Sequence, residues 1–236
     1  MVDKTDIEFR NLSASLIRER DILQKLRTCQ FVTDLHASFQ GQQEACFLLE
    51  FCPGGDLFER LSLEGPFDEE TARFYVAQMA YALDQVHSLG VVFRDLKPEN
   101  ILFDAQGYLK LADFGCSMDQ TEGVSGTVGT PEYMAPEMVD DYQTQCTYDF
   151  RVDRWALGCL MFELLSGRAP FLNKNRKKLY DAILNQKPLF HKKISAPAKD
   201  LIRQLLSKDP SKRPSFEQIK AHAWFRDFDW KALIAR

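Results

Sequence analysis

The chain has 236 residues, 45% hydrophobic and 27% charged, with a formal net charge of −4. That is an ordinary globular composition, long enough for one large domain or two small lobes, and its negative balance argues against a general binder of nucleic acid or anionic membrane. Six cysteines (Cys29, Cys46, Cys52, Cys116, Cys146, Cys159) without a C-x-x-C pair, and four scattered histidines, suggest no zinc site and fit reduced thiols in a cytoplasmic or nuclear protein. The opening "VDKTDIEFRN" is charged and lacks the apolar stretch of a signal peptide. The longest apolar run, "WALGCLMFELL" (155–165), is interrupted by Glu163 and is too short to span a bilayer.

In chain order, residues 11–27 place Leu16, Ile17, Leu23 and Leu26 near helical spacing. Residues 31–40 and 44–51 read as two strands joined by "GQQ", and the Pro/Gly break "CPGGDL" (52–57) reads as a hinge. Beyond it the pattern becomes helical. Ala72, Tyr75, Met79, Leu83 and Val86 share one face of a helix over 68–88. Short strands "NILF" and "YLKLAD" flank a turn at Gly107, and helices follow at 153–166, 174–186, 196–207 and 215–222. The basic run "KNRKK" (174–178) reads as a solvated loop or helix start. The expected organisation is a small mixed lobe over 1–52 and a larger, mainly helical lobe over 53–236.

The stretch "GVVFRDLKPENILF" (90–103) gathers Arg94, Asp95, Lys97 and Asn100 within seven positions. Phosphoryl transfer needs such a set: a group to orient the acceptor hydroxyl, cations against the phosphates, and ligands for Mg²⁺. Asp95 can accept a hydroxyl proton, and Lys97 can neutralise charge on the transferred group. Asn100 offers a neutral oxygen to a hard cation, and Asp113 of "ADFGCSM" adds an anionic one.

R-D-L-K-P-E-N, D-F-G and A-P-E, in this order and spacing, resemble the eukaryotic protein kinase signature, in its serine/threonine form. Phe93 where most kinases have His, together with "GGDLF", "ARFYVAQ", "GTPEY" and "HAWFRDFDW", is similar to the AGC group, the relatives of cAMP-dependent protein kinase. The resemblance implies an α+β, two-lobed kinase fold with an incomplete N-lobe, and transfer of the ATP γ-phosphate to serine or threonine with Mg²⁺. It makes Asp95, Lys97, Asn100 and Asp113 catalytic, with Asn100 and Asp113 on the metal. It gives the Glu50 carbonyl and the Cys52 backbone to adenine, Leu49 to the gatekeeper position and Leu102 to the floor under the purine. Phe93 becomes an apolar spine member with Phe114, Leu23 and Leu35. Glu137 pairs with Arg213, and Asp153 anchors the catalytic loop. Arg154 stands where the family more often has Trp, and 138–152 is longer than usual.

Asp56, Glu99 and Glu163 match acidic positions that in the family face arginines of the substrate, which implies basic protein substrates; the plain alternative is that they are surface acids among 34. Arg94 matches the arginine that pairs with an activation-segment phosphothreonine, implying an upstream activating kinase as a partner. The matching position here is Gly126, flanked by Ser125 and Thr127, so those two residues, or an acid such as Glu122, take its place.

The chain contains no G-x-G-x-x-G, and Glu19 fits the glutamate whose lysine partner the family count puts just before Met1. Lys4 is too close to Glu19 in sequence to serve. The expectation is a fragment of a full kinase, weak or inactive as it stands, with a small lobe of one helix and two strands and an unpaired apolar edge at "CFLLEF" (46–51). The alternative is a pseudokinase acting as a binding or scaffold protein.

Overall fold

The computed structural model describes residues 1–9, 12–126, 128–139, 147–190 and 193–235. The chain begins with a short strand, β1 (Val2–Asp3), and a helix, α1 (Lys4–Phe9). Then come α2 (Ser13–Lys25) and the hairpin β2 (Leu35–Gln40) and β3 (Glu44–Leu49). The three strands form an antiparallel sheet in the order β1-β3-β2. This corrects the expectation of one helix and two strands: β1 and α1 are additional. The edge of β3 is covered only at Glu44 and Ala45, which face Asp3 and Val2. Leu48 and Leu49 further along β3 remain 53% and 40% exposed.

Residues 50–55 carry no helix or strand. A helix the sequence reading passed over, α3 (Leu57–Glu64), starts directly after them. Its signal is "DLFE": Asp56 is the N-cap, its carboxylate accepting from the Glu59 N–H at 2.7 Å. α4 (Glu69–Ser88) is capped the same way by Asp68, with Glu69 and Glu70 in the first turn and His87 in the last, each favourable to the helix dipole.

Beyond α4, β4 (Val91–Val92) and β5 (Ile101–Phe103) bracket the Asp95 loop. β5 pairs with β6 (Leu109–Leu111), and β4 with β7 (Met118–Asp119), a pairing too short to be legible beforehand. The remaining helices are α5 (Arg151–Ser166), α6 (Arg176–Asn185), α7 (Ala196–Leu205), α8 (Phe216–Lys220) and α9 (Trp230–Ile234). α5 is buried almost all round, as its apolar run requires of a central helix, and it packs against both α4 and α7.

One hydrophobic core runs from α4, α5 and α7 up to Ile22, Leu23 and Leu26 of α2 and to Phe31 and Leu35. Phe93 meets Phe114 edge-on at 5.0 Å inside it, with Leu23 and Leu35 in the same cluster. Glu137 and Arg213 form a two-pronged pair at 2.5 and 2.7 Å. Arg154 lies over the Phe150 ring at 4.9 Å. Part of the unusually long 138–152 stretch, 140–146, lies outside the described residues. Among the described residues, no helix is long and apolar enough to cross a membrane.

Candidate active site

The Asp95 loop is fixed from below. Asp153, fully buried on α5, accepts the backbone N–H groups of Phe93 and Arg94 at 2.9 and 2.8 Å and contacts His87 Nε2 at 2.7 Å. Arg94 is thereby held at φ 71°, a conformation that non-glycine residues adopt only when their surroundings impose it. The loop ends in a 3₁₀ turn, Pro98–Asn100, that runs straight into β5.

Asp95 is the centre of a closed knot. Its Oδ2 lies 2.9 Å from Lys97 Nζ and accepts from Asn100 Nδ2 at 3.0 Å. Its Oδ1 accepts from both the N–H and the hydroxyl of Thr130, each at 2.9 Å. Lys97 Nζ also donates to Thr130 Oγ1 at 2.9 Å. Burial alone would lower the Lys97 ammonium's pKa. The hydrogen bond and charge of Asp95, with Glu99 and Asp113 behind, outweigh it and raise it, so Lys97 is a cation throughout the physiological range.

Asn100 directs its N–H₂ at Asp95, which leaves its amide oxygen as the group it can offer a cation. Its backbone C=O accepts from Ala112 N–H at 2.9 Å, which ties the loop to the neighbouring Asp113. Asp113 is itself at φ 61° and accepts from Gly115 N–H at 3.1 Å. On its other side stands Glu19 of α2: burial, then the Asp113 charge, raises the Glu19 pKa. Among the described residues Glu19 joins no ion pair, while the Asp113 charge acts on both Glu19 and Lys97. The Asn100 amide oxygen and the Asp113 carboxylate are oxygen donors of the kind a hard divalent ion takes. No group of three or more His, Cys, Asp and Glu side chains suited to a metal occurs among the described residues.

Thr130 and Gly129, within "GTPEY", are further residues of the site, beyond those expected from sequence. Gly129 has φ +89°, and a Cβ there would sit 2.5 Å from the Arg94 carbonyl oxygen, so only glycine lets this strand of chain lie on the Asp95 loop. Arg94 Nε donates to the Cys116 carbonyl at 2.6 Å and Nη1 to that of Ser125 at 3.0 Å, while Tyr148 Oη donates to the Gly126 carbonyl at 2.5 Å. Thr127 lies outside the described residues. Two ion pairs join α2 to the same segment: Lys25–Asp119 at 2.7 Å and Arg18–Glu122 at 3.2 Å.

At the opening of the cleft, Glu50 is held through its side chain by the Asp34 N–H at 3.2 Å and Lys110 at 3.0 Å. Leu49, Cys52 and Leu102 are each at least partly exposed. Glu99 is exposed and acts on Glu163, together with Glu132, a third acid the sequence reading missed. Burial first, then these two charges, push the Glu163 carboxyl up to about 7, and it accepts from the Tyr133 hydroxyl. Asp56 has the cap of α3 as its visible role.

A family model described as "Protein kinase domain" matches residues 1–225. Serine/threonine-protein kinase sgk-1 of Caenorhabditis elegans is 38% identical over 243 residues, covering 100% of this chain and 52% of that protein. Serine/threonine-protein kinase Sgk1 of Rattus norvegicus is 43% identical over 226 residues, 93% of this chain and 51% of that protein. Ribosomal protein S6 kinase alpha-3 of Homo sapiens is 42% identical over 226 residues, 92% of this chain and 30% of that protein. The chain thus spans about half the length of some of the curated relatives it matches and under a third of others.

Proposed function

This chain belongs to the protein kinase domain family, on its AGC-type serine/threonine branch, and from that premise we propose that it carries the phosphoryl-transfer machinery for serine or threonine in basic protein substrates. The supporting observation is the Asp95 knot, in which the lysine, the amide and the Thr130 hydroxyl each lie within 3.0 Å of the Asp95 carboxylate, with Asn100 bonded to Ala112, the neighbour of Asp113. Bound Mg-ATP supplies the phosphoryl group. Asn100 and Asp113 would hold the metal; the Glu50 carbonyl and Cys52 backbone would bond adenine, with Leu49 as gatekeeper and Leu102 as the floor under the purine. Asp95 orients the acceptor hydroxyl and takes its proton, and Lys97 stabilises negative charge at the transferred group. Asp56, Glu99 and Glu163 meet basic side chains of the substrate. Residues 1–52 act as the small lobe and 53–236 as the large one.

The same reading assigns Glu19 to a lysine. Lys4 does not fill that place: its Nζ donates to the Gly41 carbonyl at 2.8 Å. With Glu19 uncompensated beside Asp113, the 236 residues alone transfer phosphate weakly. The alternative, a pseudokinase that binds partners, draws on that same uncompensated acid. Incubation with Mg-ATP and an arginine-rich serine peptide tests the reading: slow transfer, lowered about a hundredfold or more by Asp95→Asn, is expected. Transfer that survives Asp95→Asn overturns the assignment, and nucleotide binding without any transfer supports the pseudokinase.

Arg94 and Ser125, with Thr127 assigned from sequence alone, are the regulatory residues, where an upstream kinase would act. Arg94 already has carbonyl partners there, so the segment is ordered in part without phosphate.

A further inference from the structure

The basic run at 174–178 is not absorbed by the catalytic reading. Between Arg168 and Lys187 the chain carries six basic residues and one acidic residue, within a protein of net charge −4. Residues 172–178, Arg168 and Lys187 are all exposed. Among the described residues, none of Arg168, Lys174, Lys177, Lys178 and Lys187 enters an ion pair. The acid, Asp181, accepts instead from the Asn185 amide at 2.9 Å. Helix stability does not account for the charges: cations in the first turn of α6 oppose its dipole.

Arg168, Lys178 and Lys187, outnumbering the single acid Asp181, line a groove of about 480 Å³ whose rim also carries Leu172 and Leu189, 67% and 79% exposed. Cations around a cleft with two exposed leucines complement a peptide with several carboxylates and an apolar side chain. A nucleic acid would call for stacking faces, and no aromatic ring other than the buried Phe171 lines the groove. We propose that this groove is a docking surface for an acidic, leucine-bearing segment of a protein partner.

Its position gives the docking a use. α6 packs on the Pro131–Tyr133 turn, with the Tyr180 hydroxyl 3.9 Å from Met134 Sδ, and Thr130 at the start of that turn bonds Asp95. A partner held on the outer side of α6 is therefore tethered about one helix diameter, ~10 Å, from the segment that meets Asp95, and local concentration rises there without any new contact in the cleft. The binding itself does not depend on catalysis.

Fluorescence anisotropy on the full 236-residue chain, with a labelled peptide of alternating Glu and Leu as probe, tests it. The expected result is binding at low salt that weakens as salt rises. K174E/K178E/K187E should weaken it at least tenfold, and L172S/L189S severalfold. Because these side chains are exposed, the variants should keep the parent circular dichroism; K174Q/K178Q/K187Q, with a smaller loss in the same direction, provides a second measure. A single-stranded oligothymidine of equal charge should bind at least tenfold more weakly than the peptide. No peptide binding at low salt, unchanged binding by K174E/K178E/K187E, or oligothymidine binding as tightly as the peptide overturns the proposal.

Discussion

The first 52 residues and the remaining 184 bury their apolar side chains on different terms. Among the described residues, seven of the eleven large exposed hydrophobics, from Met1 to Phe51, fall in the first 52, and Phe51 is 84% exposed. Of the twelve largest fully buried side chains only two, Leu26 and Phe31, lie there, and both belong to the core shared with α4 and α5. Burial supplies most of the drive to fold, so the small sheet has almost no core of its own. It leans on α2, and α2 leans on the large part. Asp95 is buried in the large part while Asp113 is exposed, and Glu19 of α2 acts on Asp113 from the first 52 residues.

The largest test of this contrast removes a buried charge from the large part. The Arg213 side chain is wholly buried and that of Glu137 is 19% exposed. Glu137→Ala leaves an unpaired guanidinium beside Trp155 and is expected to cost about 3–5 kcal/mol. Urea denaturation followed by tryptophan fluorescence measures it; a loss under about 1 kcal/mol would mean that the large part is less tightly built than its burial implies.

Next in size comes a pair of substitutions within the small part. Leu26→Ala deletes a side chain 1% exposed at the seam and should cost about 2–5 kcal/mol. Leu48→Ser, on the open face of β3, should change stability by no more than about 0.5 kcal/mol. Amide exchange adds a direct view: β2 and β3 amides should exchange faster than those of α4 and α5. Equal protection, or equal costs for Leu26 and Leu48, would show that the two regions unfold as one unit and end the contrast.

Legibility in the sequence follows the same division. α4, α6 and α7 were readable because each has an apolar face and a side-chain N-cap, α5 because of its long apolar run, and the Asp95–Lys97–Asn100–Asp113 set because its residues are close in sequence and chemically distinctive. The Glu137–Arg213 pair and the Asp153 anchor came from the resemblance rather than from spacing. β1, β4 and β7 were not readable: two-residue strands have no period, and their pairing is set by chain segments far away. The Thr130 contacts and the Glu132–Glu163 proximity arise only when the "GTPEY" segment lies over the loop, 35 residues from Asp95 along the chain. α3 is short, eight residues, and its Asp56 cap lies directly against the Pro/Gly break, so its apolar pattern has little length in which to show.

A smaller effect concerns how the large part meets substrate. With Glu163 pushed up to about 7, chiefly by burial, it is neutral at pH 6 and largely charged at pH 8. If it receives a basic side chain, affinity for an arginine-bearing peptide should rise severalfold over that interval, and Glu163→Gln should flatten the profile. The same raised pKa means that the folded state holds a proton the unfolded chain releases. Its contribution to stability therefore falls as pH climbs from about 4.5 to about 7. Calorimetric titration at pH 6, 7 and 8 settles whether binding follows the charge; a flat profile for the unaltered protein would remove Glu163 from recognition.

The smallest effect lies on the bridge between the two regions, where exposure limits what any ion pair contributes. Lys25 and Asp119 are 40% and 25% exposed, Arg18 and Glu122 33% and 46%. The hydrogen bond from Lys25, followed by those from Thr121, draws Asp119 down to about 2, so its contribution is complete above about pH 4 and lost as pH falls through about 2. For pairs this open to solvent, each should contribute no more than about 1 kcal/mol, and less in high salt. Asp119→Asn with Glu122→Gln should therefore barely move the melting temperature. They should still speed amide exchange in 118–126, because these ties, with the Arg94 contacts, link α2 and the catalytic loop to that segment. If exchange there is unchanged, Arg94 and Tyr148 suffice to order it. The segment then belongs with the large part alone, and α2 is free to move Glu19 relative to Asp113.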